Sequence, residues 1–365
     1  MAIEKLKVLE ALGTVMDPKS GKDITSMNLV SDLKIEGNNV SFTLSVTGVD
    51  SLTKSNMNFA CMKAVRDVYA DADVHVHISS KSPTLGTKER ILPQVKNIIA
   101  VASGKGGVGK STVATNLALG LRALGAHVGL IDADLYGPSI PTMLGLRGER
   151  PKVRDVNGKH KIVPLDGHGM PVMSIGFIVE EQQAVVLRGP RLGAIIKQFI
   201  SDCMWPPLDY LIIDLPPGTG DIQLTLVQTV PLTGVVMVTT PQDVAVADAV
   251  KAMNMFLLPS VNVPILGVVE NMSWFTPAEL PDNKYYLFGE GGGKKIAQMS
   301  NSVLLGQVPI VQSIREGGDN GVPIVLGDES PSKEAFMEVA KSLMRQANLR
   351  NEQLAPTQKV DIKTT

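Results

Sequence analysis

The chain changes texture along its length. From Asn97 onward, short apolar runs recur at 98–103, 128–132, 172–175, 210–214, 235–239, 265–270 and 303–307, separated by stretches of helical spacing. Most are unbroken, as in Asn97-Ile-Ile-Ala-Val-Ala-Ser103, rather than alternating apolar with polar. Strands buried on both faces read this way, so the pattern predicts a mainly parallel sheet covered by helices, an α/β fold. The last amphipathic run, 333–347, predicts a closing helix. The first 80 residues differ. They predict a helix over 3–12, a polar turn at Asp17-Pro-Lys-Ser-Gly21 and paired strands at 26–35 and 39–46 about Gly37-Asn38. A helix over 54–69 and an alternating strand at 73–78 complete a small α/β unit. The expected domains are therefore 1–80, a breaker-rich linker 81–96, a large domain 97–350 and a polar, frayed tail 351–365.

Composition narrows the function classes. Hydrophobic residues make up 44% and charged residues 19% of 365, the profile of a globular chain with a large core. A formal net charge of −1 gives no bulk attraction to nucleic acid, and 4% aromatics supply few base-stacking platforms. Two cysteines exclude a disulfide scaffold. The start, Met1-Ala-Ile-Glu-Lys-Leu-Lys, lacks the apolar core of a signal peptide, and no apolar run has membrane-spanning length. The expectation is a cytoplasmic protein with no nucleic-acid or membrane partner.

The chemistry concentrates where the first apolar strand meets a helix. Gly104, Lys105, Gly106, Gly107, Val108, Gly109, Lys110, Ser111 and Thr112 form a phosphate-binding loop between them. Glycines let successive N–H groups turn inward on phosphate oxygens; Lys110 reaches the β- and γ-phosphates, and the Ser111 hydroxyl ligates Mg²⁺. The chain is therefore expected to bind a nucleoside triphosphate. Two other strands end in carboxylates. Asp214 is the candidate for positioning Mg²⁺, and Gly218 behind it offers a backbone N–H to the γ-phosphate. Asp134 is the candidate for orienting the attacking water, and Asp132 for supporting the metal shell. Each carboxylate has the alternative of merely capping a turn. Lys105 is either a solvated loop lysine or a charge aimed at a nucleotide across a two-fold interface.

The extra lysine in Gly104-Lys-Gly-Gly-Val-Gly-Lys-Ser-Thr112 resembles the deviant-loop ATPases that include MinD, ParA and the nitrogenase iron protein. The segments Asp132-Ala-Asp-Leu-Tyr-Gly-Pro-Ser139, Leu187-Arg-Gly-Pro190, 209–221 and Val269-Glu-Asn-Met272 resemble their Mrp/ApbC branch. Residues 1–80, with Val15-Met-Asp-Pro18 and Gly21-Lys-Asp-Ile24, are similar to the PaaD/SufT-type domain often fused to it. The resemblance implies a homodimeric ATPase, using ATP and Mg²⁺, that carries iron–sulfur clusters to apo-proteins alongside other assembly factors. It implies that Lys105 meets the partner's nucleotide, that Asn271 reads adenine and that Gln307-Val-Pro309 lines the base pocket, so Pro309 is a base contact.

One departure bears on the cargo. Many Mrp/ApbC proteins carry a Cys-x-x-Cys pair after the Glu-Asn-Met segment. Here the chain reads Glu270-Asn-Met-Ser-Trp-Phe-Thr-Pro-Ala-Glu-Leu280, without cysteine, and thiolates are the expected cluster ligands. Cys61 is the remaining candidate ligand, with a small buried hydrophobe as its alternative reading; Cys203 is expected to pack at a helix end. His75 and His77 share a strand face that is expected to be solvated, and Glu290-Gly-Gly-Gly-Lys-Lys295 is expected to be a turn entering a helix.

Overall fold

The computed structural model describes residues 3–17, 23–27, 29–45, 51–79, 92–135, 137–156, 158–178, 189–277 and 279–354. The chain divides into two compact units, Met1–Arg90 and Ile91–Thr365. Parts of the expected turn after Asp17, the stretch 80–91 at the heart of the expected linker, Leu187 and Arg188, and residues 355–365 of the tail lie outside the described residues.

The small unit runs α1 (Lys5–Leu12), β1 (Val30–Glu36), β2 (Asn39–Ser45), α2 (Ser51–Val68) and β3 (Asp73–Ser79). Its sheet order is β1-β2-β3, with β1 antiparallel and β3 parallel to β2. Gly37, at φ +63°, and Asn38 form the two-residue bend between the Glu36–Asn39 pair. The first strand starts four residues later than its apolar pattern suggests. The Asp23 carboxylate accepts from the Thr25 and Ser26 backbone N–H groups (3.2 and 2.7 Å), and this local turn holds 23–27 out of the sheet. Val8, Leu12, Ile24, Phe42, Cys61 and Val74 are among the residues closing the core, while His75 and His77 lie on the exposed face of β3.

In the large unit the strands are β4 (Val95–Ser103), β5 (Val128–Asp132), β6 (Lys152–Val156), β7 (Lys159–Val163), β8 (Leu165–Gly167), β9 (Met170–Ser174), β10 (Leu208–Asp214), β11 (Gly234–Thr239), β12 (Ile265–Phe275) and β13 (Leu304–Ile310). The helices are α3 (Lys110–Ala123), α4 (Ile140–Met143), α5 (Gly189–Ser201), α6 (Asp221–Thr229), α7 (Asp243–Leu257), α8 (Gly292–Met299), α9 (Gln312–Asp319) and α10 (Pro331–Gln353). The main sheet has the order β13-β12-β11-β4-β10-β5-β9-β8, parallel except for the β8–β9 pair. The unbroken apolar runs follow from burial on both sides. In β4, Ile98, Ala100 and Ala102 join a core with side chains of α5 to α8, while Ile99 and Val101 face a second core with α3 and α10.

Three features extend beyond the pattern. The first strand begins at Val95, inside the stretch read as linker. The hairpin of β6 and β7, a separate two-stranded ribbon, has no counterpart among the expected strands. The closing helix opens at Pro331, with the Ser330 side chain accepting from the Lys333 N–H, and it runs through 351–353. Those last residues were expected to fray; instead Asn351 Nδ2 donates to Asn97 Oδ1 on β4 at 2.8 Å.

Candidate functional site

Ligands of parallel sheets bind at the carboxyl ends of the strands. There β4 turns through 104–109 into α3, flanked by β10 and β11. Two glycines are forced by packing. A Cβ on Gly104 would lie 2.1–2.3 Å from the Asp248 and Ala249 backbone of α7. Gly109, the N-cap of α3, sits at φ +78°, and a Cβ there would come within 2.1 Å of Asn271 Nδ2. By contrast, a Cβ on Gly107 would meet nothing within 4 Å, so the middle of the loop is an open cradle.

The side chains converge behind that cradle. Lys110 Nζ donates to Asp214 Oδ1 at 2.7 Å and lies 3.2 Å from Asp134 Oδ2. Ser111 Oγ donates to Asp214 Oδ2 at 2.5 Å. Burial alone would depress the Lys110 ammonium, but the Asp214 and Asp134 carboxylates outweigh it and hold its pKa above the ordinary lysine value. Asp132 stands one step back. Its carboxylate accepts from Ser174 Oγ (2.8 Å) and from the Asp134 N–H (3.0 Å). Full burial, and then the charge of Asp214, push Asp132 up to about 8. The hydroxyl of Ser111 and the carboxylate of Asp214 form the oxygen donor set that Mg²⁺ favours, and Lys110 supplies the charge that phosphate oxygens require.

Other expected residues are placed less simply. Gly218, at φ +95°, donates its N–H to the Ser103 carbonyl at 2.9 Å, so that amide is engaged with the end of β4 rather than free for a phosphate. Gln223 clamps the same loop, donating from Nε2 to the Pro216 and Gly218 carbonyls (2.9 and 3.0 Å). Asn271 is buried and donates from Nδ2 to the Val108 carbonyl at 2.9 Å, leaving one N–H and the amide oxygen for another partner. Asn271 and Pro309 line a cavity of about 450 Å³ beside the loop, together with Gly109, Thr112, Met143 and Ile314. Lys105 is half-buried, and its ammonium has no partner among the described residues. Cys61 is fully buried in the small unit, and burial pushes its thiol up to about 12; Cys203, just beyond α5, is buried with its thiol likewise at about 12.

Sequence reasoning missed three supports. Ser174 ends its apolar strand on a hydroxyl, the same signal that exposed Asp132 and Asp214. Gln223 carried no signal beyond lying near Asp214. Glu270 was read only as part of a motif. In the structure its buried carboxylate accepts from Gly293 N–H (2.6 Å), Gln307 Nε2 (2.7 Å) and Ser273 Oγ (3.0 Å). It thereby fastens α8 and β13 beside Asn271.

A loop of this kind on a parallel sheet, with its lysine and hydroxyl on a strand-end aspartate, defines a nucleotide-binding P-loop NTPase. Residues 94–344 match the family model described as NUBPL iron-transfer P-loop NTPase, and residues 5–78 match the model described as iron-sulfur cluster assembly protein. The chain belongs to this iron-transfer P-loop NTPase family. An iron-sulfur cluster carrier protein of Synechocystis is 47% identical, covering 92% of this chain and 96% of its own; one of Aquifex aeolicus is 40% identical over 92% and 96%. Among solved structures, the nucleotide-binding protein of Archaeoglobus fulgidus in complex with ADP is 36% identical, with a TM-score of 0.58 over 68% of this chain and 95% of that one. Cell-division ATPase MinD of Pyrococcus furiosus shares the fold at 24% identity and a TM-score of 0.50, over 68% and 99%. None of the described helices is long and apolar enough to cross a membrane.

Proposed function

We propose that this protein hydrolyses ATP to ADP and phosphate and uses the cycle to deliver iron–sulfur clusters to apo-proteins. The observation that carries the ATPase reading is the Lys110–Asp214–Ser111 group with Asp134 at 3.2 Å from the same ammonium. Lys110 neutralises charge on the transferring phosphoryl group. Ser111 and Asp214 would hold Mg²⁺, and Asp132 would support that shell from behind through its hydrogen bond to the Asp134 N–H. The metal supplies further charge neutralisation on the phosphate oxygens. Asp134 orients the attacking water once Lys110 is drawn to phosphate. The amides of 104–112 cradle the phosphates, and Asn271 and Pro309 receive the base. Gly218 must release Ser103 before its amide can reach the γ-phosphate. Lys105 acts in a homodimer on the partner's nucleotide.

The cluster is cargo. The carrier reading draws on the named relatives and on the family match across both units. The segment 270–280 offers no thiolate, so the cluster would be held by Cys61 after the small unit opens, or by thiolates of another assembly factor. A second reading, a nucleotide-dependent adaptor that holds no cluster, is favoured by the burial of both thiols. Anaerobic reconstitution of the full chain with iron and sulfide, with and without ATP, separates them. The carrier reading predicts retained iron that passes to an apo-acceptor and is lost in Cys61→Ala if that thiol is the ligand. Absence of retained iron under both conditions overturns a cluster held by this chain's own thiols and leaves the ATPase standing.

A further inference from the structure

The β6–β7 ribbon has no role in the nucleotide chemistry, yet it concentrates charge. Between positions 147 and 161 the chain holds six Lys or Arg against two Asp or Glu, whereas the whole chain nets −1, so the remainder is acidic. The strand register pairs Lys152 with Val163, Arg154 with Lys161 and Val156 with Lys159. Directly opposed residues, and residues two apart, share a face. Lys152, Arg154, Lys159 and Lys161 therefore crowd one side of the ribbon. Arg154 and Lys161 stand opposite one another, an unfavourable arrangement in the absence of a counter-charge. Lys161 has partners: its ammonium meets the Ser201 carbonyl at 2.8 Å and Asp202 at 3.5 Å. Lys152, Arg154 and Lys159 have none among the described residues.

The ribbon is also open along one edge. The outer side of β7 runs against 202–204, with Ile162 N–H donating to the Asp202 carbonyl and Met204 N–H to the Ile162 carbonyl (2.9 and 2.8 Å). Among the described residues β6 pairs only with β7. With a two-residue loop between Val156 and Lys159, the alternating ladder aims the backbone groups of Val153 and Asp155 away from β7. Val153 is 60% exposed. Lysines on an edge guard it against indiscriminate pairing, but the same charges select an acidic strand.

We propose that β6 docks an acidic, extended segment of a partner protein, which adds to the ribbon as a third strand. Its acidic side chains lie on the Lys152–Arg154–Lys159 face and its apolar ones beside Val153. Nucleic acid fits less well, because 147–163 holds no Phe, Tyr or Trp to stack a base and the rest of the molecule repels a long polyanion.

The test uses the full chain and a fluorescein-labelled peptide of about ten residues alternating Glu and Val, followed by anisotropy. Binding should weaken about tenfold or more between about 50 and about 500 mM NaCl, and by a similar factor in K152E/R154E/K159E. Hydrogen exchange in the 150–163 region should slow on binding. An unchanged melting temperature and nucleotide affinity would show that the triple variant is folded. Three results would each overturn the proposal: no binding at low salt, equal binding by a peptide with the same residues in two blocks, or tighter binding of single-stranded DNA of matched length.

Discussion

Two carboxylates, Asp214 and Asp134, share the Lys110 ammonium at the end of the sheet, and a third, Asp132, is buried behind them. Lys110 is held by Asp214 and Asp134, so Lys110→Ala removes the counter-charge of a fully buried carboxylate as well as the phosphate contact. Turnover should fall by about 10³-fold or more, and the nucleotide-free protein should lose on the order of 3 kcal/mol. Steady-state hydrolysis and chemical denaturation measure the two losses; near-normal turnover would remove Lys110 from its assigned place. Asp132 behaves in the opposite sense. Its pKa rises from 3.8 to about 8 on folding, so the unfolded chain releases this proton first. Stability is therefore lost as pH climbs from about 4 to about 8. Asp132→Asn keeps an acceptor for the Asp134 N–H and supplies a donor to Ser174 Oγ, without the titration. Without nucleotide or Mg²⁺, the variant should melt higher than wild type at pH 8, with the gap closing towards pH 4. A gap independent of pH would contradict the raised pKa.

At the level of elements, β12 is where the base cavity is held together. Glu270 fastens α8 through Gly293 and β13 through Gln307, and the next residue, Asn271, ties the strand to the phosphate loop. Glu270→Ala leaves the Gly293 N–H and the Gln307 amide without their acceptor, each worth about 1–3 kcal/mol when buried. The variant should be destabilised by several kcal/mol and bind ADP more weakly, with kcat at saturation less affected than KM. Calorimetry and denaturation together check this, and an unchanged denaturation midpoint would refute it. The sheet itself was legible because β4, β5, β10 and β11 are buried on both faces and so read as unbroken apolar runs. Their carboxyl ends exposed Asp132, Asp134 and Asp214 in the same way. The ribbon was not legible, since Lys152-Val-Arg-Asp-Val156 has two apolar residues in five and no buried face to impose a period. Glu270 was hidden for another reason: its partners Gln307 and Gly293 lie 37 and 23 residues away, and only the fold joins them. The engagement of the Gly218 amide with Ser103 was not legible, because a backbone amide gives no sequence signal of where it points.

For the whole molecule, Lys105 raises the question of how many chains make one working site. Every other polar side chain named in the loop has a partner within the protomer or lines the base cavity. Lys105 is half-buried with its ammonium unpaired among the described residues. A two-fold dimer would apply the same loop twice, each lysine facing the other chain's phosphates. Lys105→Ala should then lower kcat by on the order of 10²–10³ while ATP affinity stays within about twofold, since the charge is needed where it spreads in the transition state. Mixing distinguishes action across the interface from action within a chain. A Lys105→Ala protomer still binds ATP, and a Lys110→Ala protomer still carries Lys105. Each is inactive alone, yet a mixed dimer contains one complete site. With random pairing at equal amounts, half of the dimers are mixed, so about a quarter of wild-type activity should return. Sedimentation in the presence of ATP must show that the mixture dimerises. Dimers that form without recovering activity would place Lys105 on its own chain's nucleotide or outside the reaction.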